Sequence, residues 1–394
     1  MEPGQFRDRP SHSGVALRLA LVAPPYLPVP PPAYGGIERV VAMLAEGLVA
    51  RGHEVTVFAG PGSRTRARLV VPLEAAPLLG DPASAADDQY HTAAAFLAAG
   101  QFDLVHDHTS LGPVLGAMLY PRVPVVHTLH GPWTGPAKRL FRLLDGRVHL
   151  VAISDAQRRA NLAVHYSGMI YNGVDLAAHP FRAKKERFLV YVGRVSPEKR
   201  PELAIDIARL AGLPLTMVVK RSEPAERAYW DAVVAPRLGS DVEVLDQPPQ
   251  DVKVDVVGRA QAMVFPIDWP EPFGLVMTES MACGTPVIAR PMGAAPEVIE
   301  DGVTGFLRST IEGMAEAATE ARRLSPHACR ASAERRFSAD VMVDAYERLF
   351  RAITGTGTGA AEERVPFAAG LADDRSGDVD QGHLGPVYEL PAAG

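Results

Sequence analysis

RFLVYVGRVSPEKRPELAIDIARLAG, residues 187–212, begins with an apolar run, enters a polar loop at Gly193 and closes with an amphipathic segment. The run from 187 to 194 has the length and the β-branched and aromatic content of a buried strand. Pro201 and Gly212 stand where a helix starts and stops. Strand, loop and helix in that order make one unit of a parallel sheet covered by helices.

The same unit recurs on both sides. Upstream, LRLALVA (17–23) reads as a strand, and a proline-rich loop leads to Tyr34-Gly35-Gly36. IERVVAMLAEGLVARG (37–52) then has apolar residues at helical spacing, with Gly52 as a stop. HEVTVFA (53–59), FDLVHDH (102–108), VPVVHTLH (123–130) and HLVAIS (149–154) read as further strands. Downstream of 212, PLTMVV (214–219), VEVLD (242–246), QAMVFP (261–266) and TPVIAR (285–290) do the same. The pattern runs through once, breaks in a polar, poorly periodic linker at 176–186, and restarts. The expected fold is α/β, with two Rossmann-like domains facing each other across a cleft.

The expected boundaries follow. Residues 1–14 are an N-terminal extension, 15–178 the first Rossmann-like domain and 185–335 the second. Residues 336–353 are a C-terminal helix, carried by SADVMVDAYERLFRAI (338–353), and 354–394 are a tail with few bulky residues, read as disordered. Gly355, Gly357 and Ala360 match a loose dinucleotide fingerprint, but no strand precedes them, so the match is chance.

Composition sets limits. With 394 residues, 47% hydrophobic and 22% charged, the chain can bury sizeable cores as a soluble globular protein. A formal net charge of -6 argues against a general nucleic-acid binder. Cys283 and Cys329 sit in no metal-ligand spacing and suggest no disulfide framework, which fits a reducing, cytoplasmic home. Residues 16–23 are apolar, but Arg18 interrupts them and prolines follow from Pro24, so they read as a buried strand rather than a signal peptide.

Open parallel sheets bind ligands at the carboxyl ends of their strands. Arg194 and Lys199 flank the loop after the 187–194 strand and can face one anion, the first as a planar fork and the second as a point charge. The plainer reading is a solvated basic loop closed by Glu198. WPEPFGLVMTE (269–279) places Glu271 before a helix that runs from 273 to near Gly284, and Glu279 about one turn inside it. The amides near Gly274, Leu275 and Val276 are first-turn donors suited to a phosphate. Glu271 and Glu279 then fit hydroxyls at two ends of a molecule whose middle is anionic, the layout of hexose, diphosphate and ribose in a nucleotide sugar. A single acid stabilising the helix dipole accounts for one glutamate but not for the pair.

In the first half, Gly35 and Gly36 allow close approach of backbone to a ligand before the 37–52 helix. His130 follows a strand and can donate to a sugar hydroxyl or to developing charge; a structural histidine is the alternative. His106 and His108 share one face of a strand, with Asp107 on the other; no third ligand is evident, so no metal is expected. PAKRLFRLLDGRVHL (136–150) reads either as an amphipathic helix lying on its domain or as a short interfacial helix in peripheral membrane contact.

Together these motifs resemble the retaining glycosyltransferases of family 4, which have the GT-B fold. The matching pieces are YGGIERVV, GLVARGHEVTVFA, FDLVHDH, VVHTLHG, YNGVD (171–175), GRVSPEK and EPFGLVMTESMACGTPVIARPMGAAPEVIEDGVTGFL (271–307), over roughly residues 15–350. The resemblance implies that Glu271 binds sugar hydroxyls near the reacting carbon and that Glu279 binds ribose. It implies that Arg194 and Lys199 hold the donor diphosphate, that His130 lies beside the transferred sugar, that Gly36 approaches the phosphate, and that the base is held around Leu245–Pro249. The implied reaction moves a hexose from a UDP- or GDP-linked donor to a hydroxyl on a glycan, lipid or small metabolite. The anomeric configuration is retained, and no metal or cofactor is used beyond the nucleotide sugar as co-substrate. A phosphorylase, a sugar-nucleotide epimerase or a non-catalytic binding protein on the same fold are the alternatives. Two departures stand out: Arg200 replaces a frequent glycine, and VVKRSEP (218–224) replaces a glycine-bearing segment.

Overall fold

Each run of strands forms one open parallel sheet. The structure is a computed structural model that describes residues 15–78 and 81–356. The expected extension at 1–14, residues 357–394 of the expected tail, and Gly357 and Ala360 of the chance fingerprint lie outside the described residues. The first sheet comprises β1 (Arg18–Val22), β2 (Glu54–Phe58), β3 (Arg68–Val70), β4 (Leu104–Asp107), β5 (Val125–Leu129), β6 (His149–Ala152) and β7 (Gly168–Met169). The second comprises β8 (Glu186–Arg194), β9 (Leu215–Lys220), β10 (Val242–Asp246), β11 (Ala260–Phe265), β12 (Val287–Ala289) and β13 (Gly305–Leu307). Their orders are β3-β2-β1-β4-β5-β6-β7 and β10-β9-β8-β11-β12-β13, so both sheets reverse direction beside their first strand. Those two reversals, between β1 and β4 and between β8 and β11, open crevices at the strands' carboxyl ends. The loops that border them follow residues 22, 107, 194 and 265.

Helices cover both faces of each sheet, which is why the strands read as continuous apolar runs rather than alternating ones. On β1, Leu19 and Leu21 meet Val40, Val41 and Leu44 of the Gly36–Ala50 helix. Ala20 and Val22 face the other way, toward Phe58, Phe96 and Val105. On β8, Leu189 and Tyr191 meet Ile205 and Ala208 of the Pro201–Ala211 helix, while Val190 and Val192 meet Phe265, Phe273 and Met277.

The C-terminal helix returns to the first sheet. It runs over Ala339–Thr354, and a separate helix, Pro326–Phe337, leads into it from the second lobe. The crossing is fixed where Val174 N–H donates to Phe337 O at 2.7 Å and Ala339 N–H donates to Val174 O at 3.0 Å. Met342, Val343, Tyr346 and Phe350 then complete the core beside Leu19 and Leu21. The 136–150 stretch contains a helix, Gly135–Leu143, that turns Phe141 inward; Leu144, just beyond it, is also buried, while Leu143 is 68% exposed. Among the described residues no helix is long and apolar enough to cross a membrane.

Arg200 shows why a glycine would suit its position. Its φ of 51° and ψ of 49° are left-handed, ahead of Pro201 at the helix start. A side chain in that region costs roughly 1–2 kcal/mol, which glycine avoids. We expect Arg200→Gly to be more stable than Arg200→Ala by about 1 kcal/mol, since both remove the Glu202 ion pair and differ mainly in backbone strain. Urea midpoints of the two variants check this, and an equal or reversed order would count against the strain.

Candidate active site

A cavity of about 410 Å³ lies between the lobes, and residues from both line it. His130, Gly35 and Gly36 border it from the first lobe. Arg194, Lys199, Glu271, Gly274, Leu275, Val276 and Glu279 border it from the second. The residues singled out from the sequence for the sugar, the diphosphate and the ribose therefore face one space.

Two helices start at this space. Gly274, with φ 79°, turns the chain into the Leu275–Ala282 helix, and the Gly36–Ala50 helix begins across the cavity. A Cβ added to Gly36 would stand 3.3 Å from Leu275 Cδ1, so the glycine lets the two helix starts come close. First-turn amides have no partner within their own helix and carry partial positive charge, so both ends favour an anion. Glu38 lies beneath the Gly35 turn, where burial pushes its carboxyl up to about 7.

The cations are placed by strand ends and by a tied pair of loops. Arg194 ends β8, with Nη2 3.1 Å from Glu198 Oε1. Lys199 lies in the turn after it; its ammonium bonds the Glu271 carboxylate and sits 4.8 Å from the centre of the Trp269 ring. Trp269 Nε1–H donates to the same Glu271 oxygen at 2.8 Å. Asp268 N–H donates to Glu198 O at 2.9 Å, joining the Lys199 loop to the Glu271 loop. Behind Glu271, Ala294 N–H donates to its carbonyl at 2.9 Å. Gly293, with φ 54°, leaves no room there, since an added Cβ would be 2.3 Å from Glu271 N.

Glu279 is buried one turn into its helix, where Oε2 accepts from Lys253 Nζ at 2.8 Å and His179 Nε2 lies 3.8 Å from Oε1. Burial pushes this carboxyl up, but Lys253 and His179 outweigh burial and hold it at about 2. It is an anion at neutral pH. His130 keeps partial exposure to the cavity, and its Nε2 is 2.8 Å from His108 Nδ1. Burial, then His127, pushes His130 down to about 3, so its ring is neutral at pH 7.

Some lining residues carried no sequence signal. Lys253 sits on the Gln250–Arg259 helix, 26 residues before its carboxylate partner. Gln250, on the same helix, accepts from Arg39 Nη2 of the first lobe at 2.8 Å. Lys220, in the segment that departs from the resembled pattern, ends β9 in register with Arg194. Its buried ammonium lies between Glu223 and Glu226 and 5.4 Å from the centre of the Tyr34 ring. Of the expected base loop, Gln247 and Pro248 border the cavity. The His106–Asp107–His108 run divides between faces: Asp107 Oδ2 takes His127 Nδ1 at 2.6 Å, and His108 takes His130. Among the described residues no group of three or more His, Cys, Asp or Glu is arranged to hold a metal ion. Cys283 and Cys329 are free and buried, and burial pushes both thiols up to about 12.

Comparison with known proteins agrees with the two-lobed fold. Residues 34–178 match Glycosyltransferase Family 4, and residues 176–328 match Glycosyl transferases group 1, so the two matches take in both lobes. D-inositol 3-phosphate glycosyltransferases of Mycobacterium bovis and Mycobacterium tuberculosis are each 30% identical over 248 residues, 53% of this chain and 51% of theirs. The chain thus spans about half the length of the curated relatives it matches. Among solved structures, AviGT4, a glycosyltransferase involved in avilamycin A biosynthesis, is 24% identical with a TM-score of 0.68, covering 86% of this chain and 99% of its own. Anabaena HepE in complex with UDP and glucose is 22% identical with a TM-score of 0.65, covering 84% and 98%. Sucrose-phosphate synthase from Thermosynechococcus elongatus is 21% identical with a TM-score of 0.70, covering 86% and 100%. At these identities the structures speak for the fold, and the two family matches extend over most of the described chain. With both sheets, the cavity between them and the motif residues around it in place, the chain belongs to the family 4, group 1 glycosyltransferases and has the GT-B fold.

Proposed function

We propose that the chain is a metal-independent retaining glycosyltransferase that moves a hexose from a nucleoside diphosphate sugar to an acceptor hydroxyl. One observation carries the reading: Arg194, Lys199 and the start of the Leu275–Ala282 helix border the same cavity as Glu271 and Glu279. Cations and amide dipoles between two acids suit a diphosphate between two sugars.

As the glycosidic C–O bond breaks, negative charge grows on the departing phosphate oxygen. Arg194, Lys199 and the helix amides stabilise that charge most in the transition state, which is where stabilisation accelerates a reaction. Glu271, oriented by Lys199 and Trp269, accepts hydrogen bonds from hydroxyls of the transferred sugar. Glu279, anionic and held by Lys253, accepts from ribose. Among the described lining residues Glu271 and Glu279 are the only carboxylates, and each is bound to a lysine. Neither is a free nucleophile. This supports attack on the face the phosphate leaves, with that phosphate taking the acceptor's proton. The HepE structure holds UDP and glucose, which makes UDP-glucose the first donor to try. The inositol phosphate relatives make a small phosphorylated polyol the first acceptor.

The test is product analysis with UDP- and GDP-sugars and a panel of hydroxyl acceptors. We expect acceptor-dependent release of nucleoside diphosphate, undiminished in chelator, and a product that keeps the donor's anomeric configuration by NMR. Inverted product, sugar release that needs inorganic phosphate, or conversion of the donor without an acceptor would each replace this reading with another.

A further inference from the structure

The wall of the cavity behind His130 is a column of buried histidines that the reaction as described does not use. His108 is 4% exposed, and its Nδ1 is 2.8 Å from His130 Nε2. The His106 ring lies 4.2 Å from the His108 ring, centre to centre. His106 Nε2 is 2.8 Å from Thr128 Oγ1, which is 2.8 Å from the Tyr346 hydroxyl on the C-terminal helix. The His108 backbone is pinned as well, its N–H donating to Val22 O at 3.0 Å. Burial between the His106 and His130 rings leaves the His108 ring little room to re-aim.

We propose that His108 is a positioning residue that fixes the ring tautomer of His130, so that His130 presents Nδ1–H to the cavity as a hydrogen-bond donor. A bond between two neutral imidazoles holds one proton, and that proton belongs to one ring or the other. If His130 Nε2–H donates, His108 keeps its own proton on Nε2. That atom is buried and has no partner among the described residues, so a donor would be orphaned. If His108 Nδ1–H donates, only a lone pair is left unpaired at His108 Nε2, and the His130 proton goes to Nδ1. His130 borders the cavity, and its Nδ1, unlike His108 Nε2, is not a buried unpartnered atom, so water or a ligand can accept from it there. Orphaned buried N–H groups are rare in proteins, and unpaired acceptors less so. The second arrangement is therefore the one the site adopts. Burial beside other histidines keeps both rings neutral at pH 7, so the choice between tautomers persists there.

The consequence for chemistry rests on the proposed transfer; the tautomer itself does not. A fixed Nδ1–H can donate to a hydroxyl oxygen of the bound sugar or to charge developing beside it. A His130 with its proton on Nε2 would offer a lone pair instead, and residues that hold a histidine in one tautomer matter for that reason.

The test uses the full chain labelled with 15N-histidine, with long-range proton–nitrogen correlations recorded at pH 7.5 and the His130 signals assigned by their loss in His130→Gln. We expect a protonated Nδ1 and an unprotonated Nε2 on His130. In His108→Asn the side-chain amide can still donate from the place of Nδ1, and the tautomer should persist. In His108→Leu it should relax to a mixture. Turnover should stay within about threefold of wild type in the asparagine variant and fall about tenfold or more in the leucine variant, with the donor KM little changed in both. A wild-type His130 with its proton on Nε2 overturns the proposal, whatever the leucine variant does. The expected tautomer in a protein that transfers no sugar would leave this inference standing and remove the functional reading instead.

Discussion

We expect Arg194→Ala or Lys199→Ala to lower kcat by about a hundredfold or more, the equivalent of about 3 kcal/mol of lost transition-state stabilisation. The argument is positional. Arg194 is carried by the last residue of a central strand, and Lys199 by a turn tied to the Glu271 loop through Asp268 N–H. Neither ammonium nor guanidinium can be replaced by water without losing charge at the oxygen where it accumulates. The two variants should differ in one respect. Arg194→Ala leaves behind Glu198, whose side chain is 32% exposed and can turn to solvent. Lys199→Ala leaves Glu271, only 11% exposed, with Trp269 as its partner, so it should also weaken binding of the sugar end of the donor. Steady-state kinetics on both variants, with circular dichroism to confirm folding, checks this. In the proposed reaction both cations act on one diphosphate, so the double variant should lose less than the sum of the single losses. Folded variants with near-normal turnover would remove the assignment.

The second large effect is on stability, and pH should read it out. Glu279 is nearly buried, with its side chain 10% exposed, and Lys253 is its closest cation. Its carboxyl is held at about 2 in the folded chain against an ordinary 4.5. A lowered folded value means that the ionised form favours folding. That contribution is in full force above pH 4.5 and is lost as pH falls through about 2. The difference corresponds to about 3 kcal/mol. Lys253→Met reverses the sign. The carboxylate stays buried without its cation, and a broken buried pair costs roughly 3–5 kcal/mol. We therefore expect the variant to be less stable than wild type by about 3 kcal/mol at pH 7, with the gap narrowing toward pH 3 as Glu279 takes up a proton. Urea unfolding at the two pH values measures it. A gap that is small at pH 7, or that does not change with pH, would show that the pair contributes little.

How much of this was readable in the chain depends on range. The long strands and the Gly36–Ala50 and Pro201–Ala211 helices follow from periodicity within a single segment. Their placement in two parallel sheets follows from strand–helix alternation. Strands β3, β7 and β13, of three, two and three residues, are too short to carry a period and take their form from neighbours already in the sheet. The residues around EPFGLVMTE were legible because Pro270 and Pro272 bar a helix before residue 273, which puts acids and amides at a strand end; the helix starts two residues later than that reading, at Leu275, because Gly274 is left-handed. Lys253 was not legible, because its partner lies on another helix and only the folded lobe brings them to 2.8 Å. The use of His108 was hidden for a related reason. Strand alternation shows that His106 and His108 share a face, but not that the loop after β5 brings His130 back over that face. The amphipathic pattern of Ala339–Thr354 announced a helix without saying which sheet it covers. That is settled by the crossing at Val174, which carries the chain back to the first lobe.

A crystal structure of the chain with UDP bound asks the main question of the molecule itself. We expect the diphosphate in the cavity between the lobes, its oxygens within hydrogen-bonding reach of the Arg194 guanidinium, the Lys199 ammonium and the amides that open the Leu275–Ala282 helix, with the ribose toward Glu279. A diphosphate bound away from both cations, or with the ribose turned toward Glu271, would contradict the account.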